Sequence, residues 1–460
     1  MLKMSTPISS LESLIKHPIF LIAVFGIVLR LAIFPLVEVG YDSDYWAIII
    51  RNLDSGEGLY GLEGYYYTPI WGYILSFLSF IQEALLNIDV MGVRVPAAFP
   101  AEVYSAWYSA SVTSVAFNVF VKTPMLISDL IVGYLVYWLI KDMTQDTKKA
   151  TIGFTLWFLC PLIICATSVS GMFDTISVLF IMLCIVMIRK DKLFLAGVLF
   201  SFAVLTKFFP AYLAFILMAY ILVNHRDDGK AVRSLAMAVA GALLAFLVIM
   251  APQIADGTLA ESFLFITTRA TVGGTATLFQ EIASKGAIIL FGAAVVVAIA
   301  LGHRLTKKTK DELDASFFRY ALLIMAFLFL YPPLPQYLVI LIPFLAIFIV
   351  TENPRLKWSW LLVSVGAAFF IFNSNALLLL SFGTFTDLMS LEHIMSMAEW
   401  FRTPGLLGIS PWDIIQCGGV IQCIGVLSVF GFFIMERYAR RKDGKGERRR
   451  FSLWRSSSCK

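Results

Sequence analysis

Charge is scarce in this 460-residue chain: Asp, Glu, Lys and Arg together make up 15% of it, against 59% hydrophobic residues. Ordinary soluble domains carry about a quarter of their residues as charges, so that class is excluded. Histidine is scarcer still, at four positions, His17, His225, His303 and His393. None pairs with another at metal-ligand spacing, and the six cysteines form no CxxC pair, which excludes a closed zinc site of local sequence pattern. The cysteines lie mostly in or beside apolar runs and read as small packing hydrophobes. No glycine-rich phosphate loop is present, so no nucleotide cofactor is expected. No small-residue cleavage site follows the first apolar stretch, which is therefore read as a membrane helix rather than a cleaved leader. No internal repeat is evident, which weighs against inverted-repeat transporter folds.

What the chain has in abundance is long apolar runs. Examples are Pro18 to Leu36, Pro69 to Leu86, Pro124 to Ile140, Thr175 to Ile188, Pro210 to Val223, Tyr337 to Val350 and Ile414 to Met435. A bilayer core needs about 20 apolar residues per helix, and backbone groups in lipid must be paired within the segment. The expected fold is therefore all-α, a polytopic transmembrane bundle of roughly 11–14 helices.

Basic residues orient it. The segment from Glu436 onward carries ten Lys and Arg, and His303 to Arg319 carries five, which places both in the cytoplasm. The same rule makes the tail a membrane-side anchor rather than a nucleic-acid arm. The long polar links 37–68, 252–284 and 381–413 then fall outside. Three parts follow: a module over 1–350 that includes the outer loop 37–68, C-terminal helices over 351–435 with the outer loop 381–413, and a basic tail over 436–460. Alternation of sides around 87–123 requires either an extra crossing near Tyr104 to Phe120 or a re-entrant piece.

The first outer loop concentrates the reactive groups, with six acids and the single base Arg51. From Asp44 a short surface helix is expected, with Trp46, Ile49, Ile50 and Leu53 on one face and Asp44 and Arg51 on the other. Asp42, just before it, is either an N-cap or a proton acceptor. Asp44 is a second candidate base, or a ligand for a divalent cation such as magnesium or manganese. Tyr65, Tyr66, Tyr67 and Trp71 form either an interfacial aromatic belt or a surface on which a sugar stacks.

Asp42-Ser43-Asp44-Tyr45 and Tyr67-Thr68-Pro69 resemble the acidic opening of the first outer loop and the start of the second helix in the GT-C superfamily of membrane glycosyltransferases. Mannosyltransferases of glycolipid-anchor synthesis are the nearest group in that resemblance. Lys122, Pro124 and Asp129, the Gly171 to Asp174 turn, Lys207 to Pro210, and Pro335-Gln336-Tyr337 are similar to further points of the family pattern. Met172-Phe173 departs from it, since many relatives carry a polar residue before the aspartate. The resemblance implies an inverting transfer of a hexose, mannose or else glucose, from a polyprenyl (dolichyl) phosphate sugar. The acceptor would be lipid-linked or a glycan, on the non-cytoplasmic face of a prokaryotic plasma membrane or the endoplasmic reticulum. It makes Asp42 the favoured catalytic base and Asp44 the second.

Asp129, Asp174 and Lys207 sit in or at the ends of apolar segments, where an unpaired charge costs about 2.5–3.5 kcal/mol on insertion scales. Partners are therefore expected. Lys207 is either a phosphate ligand or a snorkelling end-of-helix lysine. Arg269, beside Gly273 and Gly274, is a candidate phosphate clamp. Asp129 reads as structural, and Gln336 and Tyr337 lie in a Pro-rich break of the kind that faces a cavity. With Arg51, Tyr67, Lys122 and Asp174, these complete the expected substrate-binding set. The competing function is a transporter or lipid flippase, whose path the same charges would line.

Overall fold

The computed structural model describes residues 18–61, 65–82, 84, 113–264, 278–331, 333–372 and 378–443. Among these residues every regular element is helical and none is a strand. The chain opens with α1 (Pro18–Ile33), α2 (Gly40–Asp54), α3 (Pro69–Ile81) and α4 (Val115–Thr144). Next come α5 (Thr147–Phe158), α6 (Pro161–Ile164), α7 (Asp174–Arg189), α8 (Leu193–Val204) and α9 (Ala214–Asn224). They are followed by α10 (Ala231–Ala255), α11 (Leu278–Leu305), α12 (Lys310–Leu328), α13 (Leu341–Thr351) and α14 (Lys357–Ile371). The last three are α15 (Leu380–Phe385), α16 (Leu391–Arg402) and α17 (Pro411–Asp443).

Among the described residues four helices are long and apolar enough to cross a bilayer: Val115–Thr144, Ala231–Ala255, Ile288–Leu305 and Pro411–Tyr438. A fifth span arises if α5 and the following Pro161–Val169 segment count as one, bent by 42°. Pro161 brings no amide hydrogen to the helix, so the ladder breaks there and restarts through a π-turn over Cys165–Val169. Several other apolar runs become shorter helices, among them Pro18–Ile33 and Pro69–Ile81. At 1.5 Å per residue these fall short of a bilayer core of roughly 30 Å.

Two of the expected runs are interrupted by tighter turns. A 3₁₀ segment at Phe209–Leu213 precedes α9, and another at Pro335–Ile340 precedes α13. A third run starts earlier than its proline suggests. The helix containing Pro124 begins at Val115, where the Ser114 side chain accepts a hydrogen bond from the Phe117 amide at 3.0 Å. Lys122 therefore lies within α4, two turns from its start, and not in a loop leading to it.

One apolar core runs through the bundle, from Phe34 through Phe173, Leu213 and Phe344 to Val429. A small satellite of Leu380, Ile394 and Ala398 joins α15 to the amphipathic helix α16, in a loop where the sequence shows no motif.

Candidate functional site

Helix α2 starts at Gly40, earlier than the sequence suggests, with Val39 at the cap position and no side-chain cap. Asp42 is thus not an N-cap: it lies in the first turn, half-buried, where a carboxylate complements the exposed amide end of the helix. Trp46, Ile49 and Ile50 form the fully buried face, as their spacing predicts. Asp44 and Arg51, two turns apart, lie on the same side of α2, as expected, but that side is not polar throughout. Asp44 is buried and Arg51 is exposed, so neighbouring segments cover that side in the first half of the helix and leave it open at the later turn.

The turn that follows the π-segment is one of those neighbours. The Trp46 indole donates to the Gly171 carbonyl at 3.2 Å, and Trp46 packs edge-on against Phe173 at 5.6 Å. Gly171 has a positive φ of 63°, a conformation suited to glycine. A Cβ there would also lie 3.5 Å from the Lys122 side chain, so the turn sits directly against α4. Trp71 stacks on Phe173 at 5.0 Å with the rings nearly parallel, and Tyr67 meets Phe173 at 5.2 Å. Tyr65, Tyr67 and Trp71 are all buried. These rings are interior packing, not a lipid-facing belt.

Lys207 reaches this aromatic wall from the turn after α8. The Ile70 amide donates to the Leu205 carbonyl at 3.2 Å, which holds the start of α3 beside that turn. The Lys207 ammonium lies 4.4 Å from the Phe173 ring, 4.6 Å from Tyr67 and 5.5 Å from Tyr337. It pairs with the Asp174 carboxylate at 3.4 Å, with both side chains almost fully buried. Burial of this kind rules out a snorkelling lysine, and three ring faces supply cation–π attraction in its place. A small cleft opens here, lined by Tyr67, Thr68, Thr206, Lys207 and Phe208 with Ser262 and Phe263.

Tyr67 links this cation to the acid of α2. Burial pushes its phenol well above the ordinary tyrosine value; the Tyr66 and Tyr337 phenols and the Asp42 charge add to the rise. Tyr67 therefore remains a hydroxyl at neutral pH, with the Asp42 carboxylate in electrostatic reach and the Lys207 ammonium over its ring. Tyr66 stacks on it at 4.5 Å.

A second polar cluster, not foreseen from the sequence, gathers around Glu38, near Lys122, which lies against the Gly171 turn. Glu38 is fully buried, and one carboxylate oxygen accepts hydrogen bonds from the Thr113 hydroxyl and, at 3.2 Å, from the Asn118 amide. Asn118 also donates to Ser381 at 2.9 Å, and Ser381 donates to the Thr113 carbonyl at 2.7 Å. Lys122 donates to the Val37 carbonyl at 2.6 Å, and its charge acts on Glu38, as does that of Asp44. Burial pushes the Glu38 carboxyl up to about 7; Thr113, Lys122 and Asn118 oppose the rise and Asp44 reinforces it. The only sequence signal was an acid flanked by two valines between helices, since its partners lie 75 or more residues away.

The remaining candidates separate. Asp129 is structural, as expected: it pairs with Arg30 at 3.0 Å and accepts from Thr167 at 2.9 Å. Arg51 is exposed. Gln336 is half-buried beside the buried Tyr337, and Arg269 falls outside the described residues. No group of three or more His, Cys, Asp or Glu side chains converges among the described residues. The Asp44 and Lys122 charges both act on Glu38.

The structure thus brings Asp42, Tyr67, Asp174, Lys207 and Tyr337 together in one cluster, and Asp44 with Lys122 around Glu38 in another. No protein-family model matches the chain, and no curated protein matches it.

Proposed function

We propose that the chain is an inverting glycosyltransferase acting on a polyprenyl-phosphate sugar, with Asp42 as general base and Lys207 as the phosphate-binding cation. The reading rests on one observation above others: the charge of a half-buried carboxylate and a buried ammonium 4.6 Å from the ring both act on one tyrosine, drawn from segments more than 160 residues apart. A single displacement needs such a pair. The base takes the proton of the acceptor hydroxyl as its oxygen attacks the anomeric carbon, and the bond from that carbon to the phosphate oxygen breaks on the far face. The proton ends on Asp42, and the lipid phosphate leaves with an added negative charge that a preorganised cation stabilises.

Asp42 is favoured over Asp44 because it is half-buried in the first turn of α2 whereas Asp44 is enclosed beside Glu38. Tyr67, held as a hydroxyl, can orient the sugar between the two charges. Asp174 positions Lys207 and limits the cost of burying it. The membrane spans fit a donor whose tail remains in lipid. Mannose is the favoured sugar, glucose the next, and the acceptor is lipid-linked or a glycan on the non-cytoplasmic side.

The test uses purified full-length protein with polyprenyl-phosphate mannose, then glucose, and a glycolipid acceptor. Asp42→Asn is expected to lower kcat by roughly 100-fold or more while donor binding persists. Full transfer by that variant would remove Asp42 as base. Vesicles that move a solute or lipid, with no sugar transferred, would establish the transporter reading instead.

A further inference from the structure

Far along the chain from these clusters, a groove of about 470 Å³ opens between α11, α12 and α17. Its polar lining is Arg304, Arg319, Arg437 and Glu436, and its apolar lining is Leu323, Phe430, Phe433 and Ile434. The volume falls in the range of small-molecule sites, and guanidinium groups are suited to phosphate by their planar donor fork. Arg319 is the anchored one: its guanidinium pairs with Glu436 at 3.5 Å and faces the rings of Phe348 and Phe433 at 5.7 and 6.0 Å. Arg304 and Arg437 are exposed at the mouth.

We infer that this groove is a binding site for an anionic glycerophospholipid, with the headgroup phosphate among the three arginines and an acyl chain along Phe430, Phe433 and Ile434. Three observations favour that occupant. The arginines outnumber the single carboxylate, so the groove attracts an anion. The apolar wall continues onto lipid-accessible surface, where Ile434 is 68% exposed, which a free phosphate would leave unused. The groove also lies at the end of the bundle that carries Lys307, Lys308, Lys310 and the basic end of α17, the end that the charge rule assigns to the cytoplasmic leaflet, where anionic lipids collect. The chain's own segment 444–460 has the wrong sign to fill it, with Lys445, Arg448, Arg449, Arg450, Arg455 and Lys460 against Glu447 alone.

Delipidated full-length protein in neutral detergent provides the test, read by native mass spectrometry and thermal unfolding. Phosphatidylglycerol is expected to remain bound at least 5-fold more than phosphatidylcholine of the same chains, and to raise the unfolding midpoint. Arg304→Gln with Arg437→Gln, both exposed, is expected to abolish that preference at an unchanged lipid-free midpoint; Arg437→Gln alone should reduce it. Inorganic phosphate and dihexanoyl phosphatidylglycerol should give little shift. Equal retention of the two lipids, an unaltered preference in the double variant, or a full shift from inorganic phosphate alone would each overturn the lipid site. The site is independent of the transferase reading, and sugar transfer is not needed to score it.

Discussion

Two buried cation–carboxylate pairs stand in the same bundle, and they are built differently. Arg30 donates through Nε to Asp129 at 3.0 Å, through Nη2 to the Phe158 carbonyl at 2.9 Å and through Nη1 to the Gly26 carbonyl at 3.2 Å. Asp129 is further held by Thr167, and its backbone carbonyl accepts from the Trp157 indole at 2.8 Å. Lys207 instead faces aromatic rings and one carboxylate at 3.4 Å. Directional bonds to carbonyls fix a guanidinium in one geometry, whereas ring faces hold an ammonium without prescribing its direction. The first pair locks α1 to α4 and α5. The second sets an ammonium against aromatic rings beside a carboxylate, and it is the cation to which the proposed function assigns the donor phosphate.

The sharpest way to break this contrast is to remove one member of the locked pair. Arg30→Met leaves Asp129 buried beside Thr167 without its cation, and such losses cost about 3–5 kcal/mol. Failure to accumulate folded protein, or a steep fall in the thermal midpoint, is expected. Arg30→Met combined with Asp129→Leu removes both charges and should recover much of that loss. If the single variant were as stable as the parent, the pair would not be the lock described.

Lys207→Met gives the opposite pattern. Loss of transition-state charge stabilisation of this kind lowers kcat by roughly 100- to 1,000-fold. Transfer from polyprenyl-phosphate mannose should fall on that scale. The thermal midpoint should move less than in Arg30→Met, since the methionine still packs against Tyr67 and Phe173. Arg51→Gln serves as the exposed comparison and should leave transfer within about twofold, as expected for a surface change far from special features. A large loss in Arg51→Gln with none in Lys207→Met would reverse the placement of the site.

Much of the helical framework was legible because apolar runs and their polar ends are local. The run Thr175 to Ile188 became α7 with one residue added at each end, and Asp174 and Lys207 were correctly marked as charges in need of partners. Boundaries set by proline were less legible: Pro124 invites a helix start, yet the Ser114 cap places that start nine residues earlier. The amphipathic pattern of α2 identified its buried face through Trp46, Ile49 and Ile50. It could not show that the opposite side of the first turns is covered too, which separates Asp44 from Arg51. That covering comes from Glu38 and from segments far along the chain, as does the pairing of Lys207 with Tyr67 across 140 residues. Neither leaves a periodic trace.

Glu38 sharpens the comparison in a smaller and graded way, because its buried carboxyl lies outside the membrane helices and titrates near neutrality. Its folded value of about 7 stands above the ordinary 4.5, with burial as the largest cause. The folded state therefore binds a proton between those values that the unfolded state has released. Stability from this group is full below about 4.5 and declines as pH rises through 7. Thermal unfolding of the parent protein in one detergent should accordingly show a midpoint that falls from pH 5 to pH 7. Glu38→Gln keeps an oxygen that can accept from Thr113 and Asn118, and should flatten that slope while leaving the fold intact. A slope unchanged in the variant would mean that another group titrates in this window, and that the Glu38 network is a fixed strut like Arg30 and Asp129.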